Sequence, residues 1–205
     1  MTKRIYILLF VLVFSHTAFS QFVGRDHLSV ALFYMQKTEL DSAKKYIDLA
    51  SEDESLRTEA KTWYYKGFVY KDLYKSREKA DKNSPFRLEA IKAFDVMKPL
   101  DVENEFAEST SKILKYLAST LYNDAVRSLS PETYTQAINH YELYKKTMKT
   151  ALPSTEFNSQ DVKFKMALAS MLNKTAETSS GLDSVQVIYI KKLYSEISEI
   201  DENNP

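Results

Sequence analysis

The 205-residue chain has no cysteine, only 3 glycines and only 5 prolines. Without cysteine there is no disulfide, no thiolate metal site and no lipid attachment at a lipobox, so the core alone must hold the fold. So few glycines argue against sheets joined by tight turns, which use glycine for positive φ. A glycine-rich phosphate loop is not expected, and no Gly-x-Ser-x-Gly elbow occurs. There is no surplus of either charge: Lys plus Arg and Asp plus Glu both number 28. A chain without a basic excess has little to pair with a phosphate backbone, so no nucleic acid partner is expected.

Long apolar runs are absent except at the start. Lys3 and Arg4 precede an apolar stretch from Ile5 to Phe14, and Ala18-Phe19-Ser20 puts small residues where a signal peptidase reads. This is the secretory pattern, with residues 1–20 expected to be removed and Gln21 to become the first residue. The run is short of the roughly twenty residues that span a bilayer, so no stable membrane anchor is expected. The mature domain, residues 21–205, would then be exported, periplasmic or extracellular, with net charge −2 because Lys3 and Arg4 leave and no acid does.

What is present points to helices. Tyr and Phe number 14 and 11, and few residues break a helix. The expected class is all-α. A pattern of a small residue, a large one four later and a packing residue three after that recurs as Ala43, Ile47, Ala50, as Ala90, Phe94, Met97 and as Ala137, Tyr141, Tyr144. The leading alanines are 47 residues apart both times. A weaker fourth copy is Ile190, Tyr194, Ile197. Steps of four and three place each set on one helical stripe, with the alanine admitting a close neighbour.

A partner stripe precedes each of the first three: His27, Ala31, Tyr34; Trp63, Gly67, Tyr70; and Leu121, Ala125, Ser128. The unit is therefore a helical hairpin. Trp63-x-x-x-Gly67-x-x-Tyr70 resembles the first-helix signature of the tetratricopeptide repeat family. The segments Thr38 to Ile47 and Glu132 to Tyr141 resemble its second-helix signature. In the first and third repeats twelve residues separate the two small residues, as in the family; Gly67 to Ala90 is 23, an excess of 11. That insertion is expected in the charged stretch Lys75 to Ser84, as an enlarged loop or extra helical turns. The resemblance covers residues 25 to 202 and implies a right-handed solenoid of about four hairpins.

Ser84-Pro85 and Ser130-Pro131 each read as a capping hydroxyl followed by proline in the first turn of a helix, and Leu152-Pro153 as a helix end. An unbroken pattern from Phe106 to Leu129 predicts one long helix. In the fourth repeat a loop is expected near Asn173 to Asp183, with Ser180-Gly181 breaking the chain and Ser184 as a cap.

No catalytic constellation is found, so the chain is read as a non-enzyme with no catalytic residues and no cofactor. His27 and His140 lack partners at ligand spacing, and both read as packing or solvated residues. Glu52-Asp53-Glu54 and Asp101, Glu103, Glu105 read as solvated turns between hairpins, since the calcium-loop pattern is missing. No metal site is expected.

The resemblance also implies a concave protein-binding face made by the first helices. The positions one after the large first-helix residue, and four beyond it, are Leu28 and Leu32, then Tyr64 and Phe68, then Tyr122 and Val126. None carries the Lys, Asn or Arg that some members use to hold a peptide carboxylate. These residues either take a peptide or cell-envelope protein, or pack against a neighbouring hairpin, the long helix or a second copy of the chain. The main reading is an exported protein-interaction scaffold; the alternative is a small-ligand carrier or enzyme with an unrecognised helical pocket.

Overall fold

The computed structural model describes residues 25–178 and 184–202. The expected signal segment, its cleavage site, Ser180-Gly181 and the side chain of Ser184 lie outside the described residues. Among those described, the chain forms eight α-helices and no strand. They fall into two compact units, the first ending at Glu78 and taking in residues 85–103, the second holding Lys79–Ser84 and residues from Asn104 onward.

The first unit contains α1 (His27–Gln36), α2 (Leu40–Glu52), α3 (Ala60–Leu73) and α4 (Pro85–Leu100). Asp26 caps α1 by accepting a hydrogen bond from the Ser29 N–H at 2.6 Å. Thr38 ends it in the left-handed region, φ 59°, a position usually given to glycine. The Thr38 and Glu39 N–H groups then satisfy the Met35 and Tyr34 carbonyls. Each helix packs on the next, α1 on α2, α2 on α3 and α3 on α4. The repeat stripes form the core: Ala31, Ala43, Ile47, Ala50, Ala90 and Phe94 are all fully buried. Burying a side chain the size of Phe94 contributes about 2–3 kcal/mol.

The excess residues between Gly67 and Ala90 begin as a π-helical turn, Tyr74–Glu78, continuing α3. The rest belongs to the second unit. There the Lys82 ammonium donates to the Arg127 carbonyl at 3.2 Å and to the Ser128 hydroxyl at 3.1 Å. A cation is favoured at that helix end, where carbonyls lack helical partners.

The second unit contains α5 (Ala107–Arg127), α6 (Tyr134–Ala151), α7 (Asn158–Thr178) and α8 (Ser184–Glu202). The expected long helix is α5, and α6 stops before Leu152-Pro153 as expected. Three expectations fail. Helix α6 begins at Tyr134, not beside Pro131, because the Thr133 hydroxyl bonds the Ser128 carbonyl at 2.8 Å and the Ser130 hydroxyl at 2.9 Å. That turn closes α5 before the next helix starts. Helix α7 runs on to Thr178, so Asn173 is helical where a loop was expected. The fourth stripe is also reset: Tyr194 is 42% exposed and Leu193 takes the buried place between Ile190 and Ile197. Helix α5 packs on α6 and α7 on α8. Between α6 and α7 large rings carry the contact, with Tyr141 stacked on Phe164 at 4.0 Å between centroids. Among the described residues no helix is long and apolar enough to cross a membrane.

Candidate protein-binding face

The six positions read from the sequence meet different fates. In the first unit Leu28 is buried in α1, 5% exposed, so it presents almost no surface to a partner. Leu32, Tyr64 and Phe68 are half-buried, where an open pair of aromatics was expected. The Tyr64 ring meets Phe94 edge-on at 6.3 Å, which ties it to the α3–α4 core, and lies 6.3 Å from Phe68. In the second unit Tyr122 packs into an aromatic cluster, 5.2 Å from Tyr144 and 6.3 Å from Tyr141. Val126 stays 46% exposed. Helical phase explains the difference. A residue one step past a core stripe is turned only about 100° from it, and a large ring there can still reach the core.

Phe68 is the half-buried member that borders a recess. It lines a pocket of about 360 Å³ with Met35, Thr38, Leu40, Val69, Asp72, Lys75 and Ser76. The apolar wall comes from α1, the start of α2 and the second half of α3; the polar rim comes from the Thr38 turn and the π-helical turn. Single π-turns inserted in helices frequently mark functional sites. Here the widened turn brings Lys75 and Ser76 to the rim, and the Ser76 hydroxyl occupies the Asp72 carbonyl at 2.8 Å. A second recess of about 520 Å³ shares Thr38, Leu40 and Ser76 and adds Glu39, Asp41, Ser42 and Arg77.

Most charges on the rim are matched. Lys71 pairs with Asp72 at 2.5 Å and sits over the Phe68 ring at 3.9 Å. Arg77 grips both Asp41 oxygens, at 2.6 and 2.9 Å, and holds that carboxyl below its ordinary range. Lys75 and Glu39 make no ion pair among the described residues. Sequence reasoning missed Met35, Leu40, Val69 and Lys75 because three separate segments supply them. The only signal was the charged insertion at Lys75 to Ser84.

A further concentration of titratable groups in the first unit lies between α2, α3 and α4. The buried Lys66 ammonium stands 3.2 Å from Asp48 and 3.4 Å from Glu89, and donates to the Ser51 hydroxyl at 3.0 Å. The Tyr70 hydroxyl donates to Asp48, 2.9 Å from either oxygen, and Lys44 adds a contact at 2.8 Å. Burial, then the hydrogen bond to Asp48, pushes Tyr70 up to about 12. Lys44, Lys66 and, at 3.8 Å from Glu89, Lys92 face the two carboxylates, and the phenol keeps its proton at neutral pH. This cluster fastens three helices.

His27 is exposed at the start of α1 and stacks on Tyr46 at 6.4 Å. His140 is buried in α6. Asp53 accepts three hydrogen bonds, from the Ser55 N–H and hydroxyl and the Leu56 N–H, and closes its turn. Asp101, Glu103 and Glu105 lie in the turn after α4. Among the described residues no group of three or more His, Asp or Glu side chains could hold a metal ion. No protein-family model, no curated protein and no solved structure matches the chain.

Proposed function

We propose that the protein is an exported, non-catalytic scaffold of tetratricopeptide type that holds a peptide segment of another protein through the apolar face carrying Phe68. The observation that supports this best is the pocket beside Phe68, walled by Met35, Leu40 and Val69 and open at a polar rim. Concave sites with apolar walls and a few polar groups are where proteins usually seat ligands, and a pocket of this volume takes a large side chain with part of its backbone. The helical hairpins and the recurring Ala–aromatic stripe support a repeat scaffold, which commonly offers such a face between successive units. Tyr64, its ring 6.3 Å from Phe68, flanks the site as a lesser contributor; Leu28 and Tyr122 serve packing.

The test places a photo-crosslinking amino acid at position 68, with a second copy placed at Lys98 on α4 as control. A discrete protein adduct formed from position 68 and absent from Lys98 is the expected result. Equal labelling from both positions, or none from position 68, sinks the reading. Phe68→Ala is made alone, because truncating Tyr64 as well would remove its contact with Phe94.

A further inference from the structure

We infer that the Phe68 pocket selects its peptide by charge: one large apolar side chain enters it, and an acidic residue beside that side chain meets Lys75. The inference rests on the peptide-binding reading above and names the chemistry of the ligand.

The argument starts from which charges are already neutralised. Of the groups lining the pocket, Asp72 is held by Lys71 at 2.5 Å, which leaves Lys75 as the cation without an ion-pair partner among the described residues. Lys75 is exposed and lines the recess, and a lysine at such a rim can lay its stem along apolar surface while its ammonium stays in water. A ligand that fills the recess brings its neighbouring residues alongside that ammonium. A base there is repelled, and an acid gains a pair that the free protein lacks.

The adjoining recess has the opposite sign. Asp41 is neutralised by the two bonds from Arg77, so Glu39 is its unmatched charge. The two recesses share Thr38, Leu40 and Ser76, so one short peptide can occupy both. Charge complementarity then gives that peptide a direction, with an acid at the Lys75 end and a base at the Glu39 end. A chain-terminal carboxylate fits less well: a lone flexible ammonium offers one point charge and no fork of donors to fix the chain end.

Such an arrangement acts mainly on selection. Exposed ion pairs contribute little to affinity, but reversing one charge exchanges an attraction for a repulsion, and discrimination is the difference between the two. A preference of about threefold to tenfold between acidic and basic neighbours is expected from a rim contact of this kind.

The experiment uses the full chain and an array of short synthetic peptides. Each carries one Phe in a Ser/Ala background, followed by either two Asp or two Lys, with Phe→Ala controls. Wild type is expected to retain the Asp peptides over the Lys peptides by about threefold to tenfold. Lys75→Glu is expected to reverse the order, and Phe68→Ala to abolish retention of both. Circular dichroism and Trp63 fluorescence establish that both variants are folded. Loss of retention in Phe68→Ala with an unchanged preference in Lys75→Glu overturns the charge selection while the Phe68 face stands. Retention that survives Phe68→Ala overturns both readings. A wild type that retains no peptide overturns the charge selection; position-68 crosslinking then decides the broader reading separately. Phe68-dependent binding of a fluorescent fatty acid without peptide retention also overturns it, in favour of a small amphiphile. A concentration-dependent dimer in sedimentation that Lys75→Glu abolishes overturns it in favour of a second copy.

Discussion

Gly67 is the residue whose replacement tests the helix crossing most directly. A Cβ at this point of α3 would stand 2.6 Å from Cζ of Phe94 and 2.7 Å from each ring Cε. Carbons in ordinary contact sit about 3.5–4.0 Å apart, so the ring would have to retreat by about 1 Å. It has little room: Phe94 is 0% exposed and the Tyr64 ring abuts it at 6.3 Å. Two effects compete when alanine replaces this glycine. Helix propensity favours alanine by about 1 kcal/mol, and overpacking a filled core costs about 1–3 kcal/mol. The packing term wins, giving a net loss of about 1 kcal/mol for Gly67→Ala and about 3 kcal/mol or more for Gly67→Leu.

The cause can be isolated by changing the other partner. Phe94→Leu alone should cost about 1–2 kcal/mol for lost burial and the space it leaves. Combined with Gly67→Ala, the new methyl should occupy part of that space, leaving a favourable coupling of about 1–2 kcal/mol in a double-mutant cycle. Trp63, the only tryptophan in the chain, is the probe. It lies one turn before Gly67 in α3 and its indole N–H donates to the Arg57 carbonyl at 2.8 Å, so its fluorescence reports the first unit. Urea midpoints of the four proteins provide the measurement. A raised midpoint for Gly67→Ala would mean that propensity dominates and that Phe94 does not cross there.

Other consequences are open to the same probe. Burial alone would raise the Asp48 pKa, but hydrogen bonds from Lys44 and Tyr70 and the Lys66 charge lower it overall. Its stabilisation is therefore complete above the ordinary aspartate range, about pH 4, and lost as pH falls below it. Tyr70, raised to about 12, stabilises fully below its ordinary value of about 10 and loses that contribution between the two. Asp48→Asn should shrink both limbs of the midpoint-versus-pH curve; unchanged limbs would contradict the cluster. Thr38→Gly should raise stability by about 0.5–1 kcal/mol, since a β-branched residue at φ 59° is strained, and a lower midpoint would refute this. Tyr141→Phe keeps the stack on Phe164 but loses the bond from its hydroxyl to Asp161 at 2.7 Å. It should cost about 1–2 kcal/mol in thermal unfolding followed by circular dichroism, and no change would argue against the bond.

The helical pattern was legible wherever a period of 3.6 and a local breaker agreed. Ala43, Ile47 and Ala50, or Ala90, Phe94 and Met97, declare a buried stripe because steps of four and three leave one face. Tyr194 misled because Ile190, Tyr194 and Ile197 fit the same steps, while Leu193 fits a shifted stripe equally well and is the more apolar choice. Pro131 misled because proline suits a tight turn as well as a first helical turn, and the Ser130 and Thr133 hydroxyls selected the turn. The candidate face was legible only at Phe68. Its pocket joins Met35, Leu40 and Lys75 from segments far apart in sequence, and the π-helical turn that presents Lys75 carries no periodic mark.

The seams between successive hairpins show where a sequence pattern stops carrying information. In the first unit Tyr70 of α3 donates to Asp48 of α2, with Lys44 and Lys66 supplying positive charge. In the second, Tyr141 of α6 donates to Asp161 of α7, with Lys145 at 3.4 Å from the same carboxylate. The chemistry is shared, but tyrosine and aspartate have exchanged helices, so the clamp does not follow the 47-residue spacing of the alanines. The alanine stripe repeats because two helices of one hairpin need the same close approach each time. A seam has a different requirement: a large ring fills the wider gap, and its buried hydroxyl must find an acceptor. Either helix can supply ring or carboxylate, and the basic residue need only reach the acid. The need recurs at these two seams while the positions that meet it do not, so no single-residue period in the sequence marks it.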